Sequence, residues 1–92
     1  MTKSNSKYMY SFVLDYLVGN KDRMDFDLDF NYYLIKHFPA MHRRNEYEAD
    51  CFAYYLEEEG YDVSENLSDT QHKALIKKQW KQFVEETGVK VK

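Results

Sequence analysis

One cysteine, one proline and three glycines in 92 residues leave several architectures without material. Cys51 alone closes no internal disulfide, so a bridge-stapled secreted domain is excluded and a reducing compartment, the cytoplasm, is expected. Scarce breakers disfavour a chain of β-turns and favour long helices. No run approaches the roughly 20 apolar residues of a membrane span. The opening MTKSNSKYMYSFVLDYLV starts like a secretory leader. Asp15 and the tyrosines interrupt its apolar stretch, and no small-residue cleavage site follows, so no leader is expected. Gly19, Gly60 and Gly88 stand apart, so there is no Gly-rich phosphate loop, and no serine lies in a nucleophile-elbow pattern. A net charge of −3 argues against a uniformly basic nucleic-acid coat, while a local basic patch stays compatible with it.

Aromatic residues are abundant. Nine tyrosines, six phenylalanines and one tryptophan supply a dense core for a short chain, because each ring can bury about 150–250 Å². The length sets one domain. It is read as residues 6–88, with a disordered tail at 1–5 and a short tail at 89–92.

Apolar spacing predicts an all-α, compact four-helix bundle. A first helix over about 7–18, capped by Ser6, carries Met9, Phe12, Val13, Tyr16 and Leu17 on one face and stops at Gly19. A second over about 26–37, capped by Asp25, carries Phe26, Phe30, Tyr33, Leu34 and Phe38. It is expected to end at Pro39, ahead of a basic loop at 40–44. A third over about 46–59 begins at Asn45 with Glu48 and turns Cys51, Phe52, Tyr55 and Leu56 inward until Gly60 stops it. Tyr61, Val63 and Leu67 are expected to pack back from the following loop. The fourth, about 69–87, opens on Ser68 with Gln71 and buries Leu75, Ile76, Trp80, Phe83 and Val84, with Gln79 at the margin.

The order of these landmarks resembles the YozE-like family of small proteins from Gram-positive bacteria. The resemblance runs from Ser11–Phe12 and Tyr16–Leu17 through Phe38–Pro39 and Tyr55–Leu56–Glu57 to Trp80, Phe83 and Glu85–Glu86. It implies a helical fold related to sterile-alpha-motif domains, arranged as an orthogonal bundle. The family has no established activity, and its fold relatives bind proteins or nucleic acids. This chain departs from the family at Phe52, where an aliphatic is expected, and at Cys51, where an acid is expected. Residues 59–74 are also longer and more charged.

Catalytic and metal patterns fail on spacing. Asp25, Asp27 and Asp29 have the start of an EF-hand loop, but its sixth position is Phe30 and its twelfth is Lys36, so the acids read as a capped first turn. His37, His42, His72 and Cys51 form no recognised zinc pairing. Glu57, Glu58 and Glu59 are consecutive, and consecutive helical residues point about 100° apart instead of facing across a cleft. No catalytic residue, cofactor or metal is expected, and the chain is read as a non-enzyme.

What remains is surface. Lys73, Lys77 and Lys81 recur every four residues beside Lys78, and Lys90 and Lys92 extend that positive end. Lys36, His37, His42, Arg43 and Arg44 form a second basic cluster. If these meet, Arg43, Arg44, Lys73, Lys77, Lys78 and Lys81 are the candidate nucleic-acid contacts. Tyr8, Tyr10, Tyr32, Tyr54 and Tyr61, placed on outer or marginal positions, are candidate protein contacts, with Glu57 and Glu58. The expected function is therefore a non-catalytic accessory or adaptor protein that binds a larger protein. The resemblance and the Lys/Asn/Tyr-heavy composition suggest a DNA-processing, replication enzyme of a mobile element as that partner. The alternatives are a direct DNA- or RNA-binding module using the fourth helix, or a phage-type inhibitor of a host enzyme carried by the acids at 57–59, Asp62 and Glu65.

Overall fold

The computed structural model describes residues 4–89, in which four helices and no strand are found. These are α1 (Asn5–Leu17), α2 (Arg23–Arg44), α3 (Glu46–Phe52) and α4 (Asp69–Thr87). The fold is all-α, as the apolar spacing predicts. The suggested disorder of residues 1–3, and Lys90 and Lys92, lie outside the described residues.

α1 starts earlier than expected. Ser4 is its cap and accepts from the Lys7 amide at 3.2 Å, while Ser6 lies inside the helix and is buried. Asn5 is therefore helical. Gly19 follows the helix at φ +92°, a conformation that glycine takes without strain.

α2 departs most from expectation. Asp22, not Asp25, caps it, accepting from the Asp25 amide at 2.9 Å. The helix continues through Pro39 to Arg44, so residues 40–44 are helical and not a loop. Proline removes one helical hydrogen bond and crowds the carbonyl of the fourth residue before it. Here that residue is Ile35, which shares the exposed side of α2 with Pro39. Beyond the proline, Met41 is fully buried and Arg44 reaches Ser6 and Glu48. Those tertiary contacts outweigh the local signal to stop.

Asn45 ends α2 and caps α3, its side chain accepting from the Glu48 amide at 3.1 Å. α3 then widens into π-helical turns over Ala53–Glu58 and closes with a 3.0 Å bond from the Glu59 amide to the Tyr54 carbonyl. Gly60 is buried there. A Cβ on it would lie 2.8 Å from the Leu56 carbonyl oxygen and 3.2 Å from Ile76 Cδ1, so glycine allows the chain to cross against α4. A short 3₁₀ turn, Tyr61–Val63, follows. Tyr61 packs back on the core as expected; Leu67 is half-buried without joining that core, and Val63 is exposed.

α4 matches its expected limits. Ser68 and Gln71 form a reciprocal capping box, and Gly88 ends the helix at φ +70°. Met9, Val13, Phe26, Phe30, Phe52, Leu56, Ile76 and Phe83 form a shared interior with no exposure.

Candidate interaction surface

Tyr10 does not reach the surface. It is 3% exposed, packs on Phe52, Trp80 and Phe83, and donates its hydroxyl to Glu48. Burial first, and then Glu48, raises its pKa. Tyr10 is therefore a core residue and not a surface contact: α1 is covered on two sides, so its buried face is wider than one stripe. Tyr8 is half-buried and stacks on His37 at 4.5 Å. Tyr61 is half-buried, and its hydroxyl donates to the Asp27 carbonyl at 3.3 Å. Of the five tyrosines, Tyr32 and Tyr54 are exposed, at 62% and 47%.

The three histidines and Cys51 are dispersed, and no group of three or more His, Cys, Asp or Glu among the described residues is arranged to hold a metal. Asp27 faces inward, whereas Asp25 and Asp29 face solvent, so the acids of the EF-like run do not converge.

His72 instead belongs to a buried chain of polar groups. The Tyr16 hydroxyl lies 2.7 Å from Nδ1 and Asp27 lies 2.9 Å from Nε2, while Arg23 Nε is 3.3 Å from the other Asp27 oxygen. The neutral tautomer that satisfies both bonds donates from Nε2 to Asp27 and accepts the Tyr16 hydroxyl at Nδ1. An Asp–His–hydroxyl chain resembles hydrolase machinery, yet His72 has no exposure and Tyr16 has 1%. Burial, then the Asp27 charge, raises the Tyr16 pKa, which opposes formation of a phenolate nucleophile. The chain instead ties α1, α2 and α4 together. His72 lies four residues before Ile76, so extending the core stripe by one turn would have found it.

Arg23 is a second tie. Its guanidinium donates to the Ser64 carbonyl at 3.0 Å, to the Leu67 carbonyl at 2.5 Å and to Asp69 at 3.1 Å, fastening the 61–68 loop to the start of α2. An open groove of about 510 Å³ beside it is lined by Tyr16, Asp69, Lys73 and Lys77, among others. Arg23 is already engaged by carboxylates and carbonyls and is not free to take an anion there.

Lys73 stands apart from the basic end of α2. Lys77, Lys78 and Lys81 are exposed, whereas Lys73 is half-buried with Nζ 5.0 Å from the Tyr16 ring centre. Arg44 is held by Glu48 and lies 3.3 Å from Ser6 Oγ. Arg43 is exposed. The Arg23–Asp69 pair joins the first turns of α2 and α4, so Arg43 lies at the far end of a helix about 33 Å long. The structure does not bring Arg43 and Arg44 together with Lys73. Glu57 is half-buried, and burial first, then Asp62 and Glu58, raises its pKa.

The largest departure from a water-loving surface lies on α2. Met24, Leu28, Tyr32 and Ile35 are 70%, 71%, 62% and 66% exposed and recur at intervals of four, four and three. That spacing places them in one stripe along the outside of the helix, opposite Phe26, Phe30 and Leu34. Among the described residues, no helix is long and apolar enough to cross a membrane. No protein-family model, curated protein or solved structure matches this chain.

Proposed function

We propose that this protein is a non-catalytic accessory module that acts by docking the outer face of α2 on another polypeptide. The observation that carries this reading is the stripe of Met24, Leu28, Tyr32 and Ile35 left in water. Fully burying one such aliphatic side chain is worth roughly 1.5–3 kcal/mol, so a contiguous row of them is a standing gain for any surface that covers it. The polar groups that look reactive serve the fold: His72 and Tyr16 are buried, and Arg23 is committed to a loop. The likeness to YozE-like proteins, whose fold relatives bind proteins or nucleic acids, supports a binding role by analogy.

Direct nucleic-acid binding is the second reading, favoured by exposed Lys77, Lys78 and Lys81. It is the weaker because Arg43 sits far from Lys73 and Arg44 is paired. Capture from the native host, with nuclease added, separates the two. Under the docking reading Leu28→Glu abolishes recovery of the bound polypeptide, and joint replacement of Lys77, Lys78 and Lys81 by glutamate leaves it intact. The reverse pattern, with recovery lost on nuclease treatment or raised salt, supports the nucleic-acid reading instead.

A further inference from the structure

Resting on that docking reading, we propose that the polypeptide covering the outer face of α2 is a second copy of this chain, paired antiparallel about a twofold axis near the middle of the helix. The charge pattern carries the inference. Asp29, Lys36 and Arg43 recur every seven residues along one flank of the apolar stripe, the N-cap Asp22 stands seven residues before them with one carboxylate oxygen on the Asp25 amide, and all four are exposed. The order along the helix is acid, acid, base, base.

When two helices pack antiparallel along such a seam, each flank meets the same flank of the partner running the other way. Asp22 then faces Arg43 of the other copy, and Asp29 faces Lys36. The twofold axis repeats both pairs. The same register sets Tyr32 against Ile35, and Leu28 against Pro39, across the seam. One registration therefore pairs Leu28, Tyr32 and Ile35 of the apolar stripe and the charged flank together. A parallel pairing would bring the acidic ends side by side and the basic ends side by side, which is repulsive.

The geometry leaves room for this contact. α2 is about 33 Å long by its 22 residues, close to the molecule's longest dimension of 35 Å, so the seam runs the length of the protein. A single helix pair buries less than the roughly 800 Å² per partner of a standard interface. The expected dimer is correspondingly weak, on the order of micromolar, and sensitive to salt.

Sedimentation velocity over a concentration series tests this with the full chain. The wild type is expected to pass from monomer to dimer. Ile35→Glu is expected to weaken the dimer about a hundredfold, and Asp29→Lys or Lys36→Asp alone about tenfold, each with an unchanged circular dichroism spectrum. Mixing the Asp29→Lys chain with the Lys36→Asp chain restores association, because each then supplies the charge that the other lacks. A dimer indifferent to these substitutions, or a mixture that fails to recover, overturns the pairing. A wild type that stays monomeric to about 1 mM also overturns it. In that last case, protection of Met24 from oxidation in host extract shows that the docking reading survives with a different occupant. Free oxidation there removes both.

Discussion

The buried Tyr16–His72–Asp27 chain can be broken at Tyr16 or at His72, and the two breaks should not add. Tyr16→Phe deletes the hydroxyl that lies 2.7 Å from His72 Nδ1 and leaves that nitrogen without a partner in a site closed to water. An unsatisfied buried polar atom costs about 1–3 kcal/mol. His72→Leu keeps an apolar filler but strands the Tyr16 hydroxyl at similar cost. Asp27 loses less, because Arg23 still holds it at 3.3 Å. Either single variant should lower Tm by roughly 4–8 °C for each kcal/mol lost in a domain of this size. The double variant removes both partners of the Tyr16–His72 bond and leaves neither orphaned. Its loss is expected to fall short of the summed single losses by about 0.5–3 kcal/mol. Urea unfolding followed by circular dichroism reads the cycle. Additive losses would mean that the two groups do not satisfy one another, and that the chain is not the tie between α1 and α4 described above.

Three further outcomes follow from the packing. Gly60→Ala forces a methyl to within 2.8 Å of the Leu56 carbonyl and should destabilise by about 1–3 kcal/mol; an unchanged urea midpoint would show that the crossing there is loose. Trp80→Ala removes a side chain only 8% exposed that packs on Tyr10 and Phe83, and should cost about 3–5 kcal/mol; retention of the wild-type Tm would place Trp80 in solvent. His37 titrates below its ordinary value of 6.5, first because burial and then because neighbouring Lys36 disfavour its charged form. Folding thus favours the neutral ring, and its contribution is present above pH 6.5 and lost as pH falls through the lowered value. Stability at about pH 5 should be less than at about pH 7.5, and His37→Gln should flatten part of that decline; a decline of the same size in the variant would assign it to other groups.

The limits of α4 were legible because its signals are local: Ser68 and Gln71 answer one another across one turn, and Gly88 supplies the left-handed stop. The far end of α2 was not. Pro39 is a local signal to stop, and it is overruled by Met41 and Arg44, whose partners are distant in sequence. Tyr10 was misplaced for a related reason. Phe12 meets Phe26 and Phe30 while Tyr10 meets Trp80 and Phe83, so α1 lies between two neighbours and buries more than a single stripe. The exposed apolar face of α2 is hidden in the sequence because α2 is apolar on two sides. Phe26, Phe30 and Leu34 account for a core helix by themselves, and only burial distinguishes them from Met24, Leu28 and Ile35. Tyr32, found by its outer position, was the one visible part of that face.

Hydroxyl-radical footprinting compares the dilute purified chain with the concentrated chain in host extract, and shows directly which surface is occupied. Met9 and Met41, fully buried, serve as internal controls, and exposed Tyr54 reports a different face. Slower labelling of Met24, Leu28 and Tyr32 in extract, with Tyr54 unchanged, is the expected result. Undiminished labelling along α2, with protection confined to α4 around Lys77 and Lys81, would contradict it.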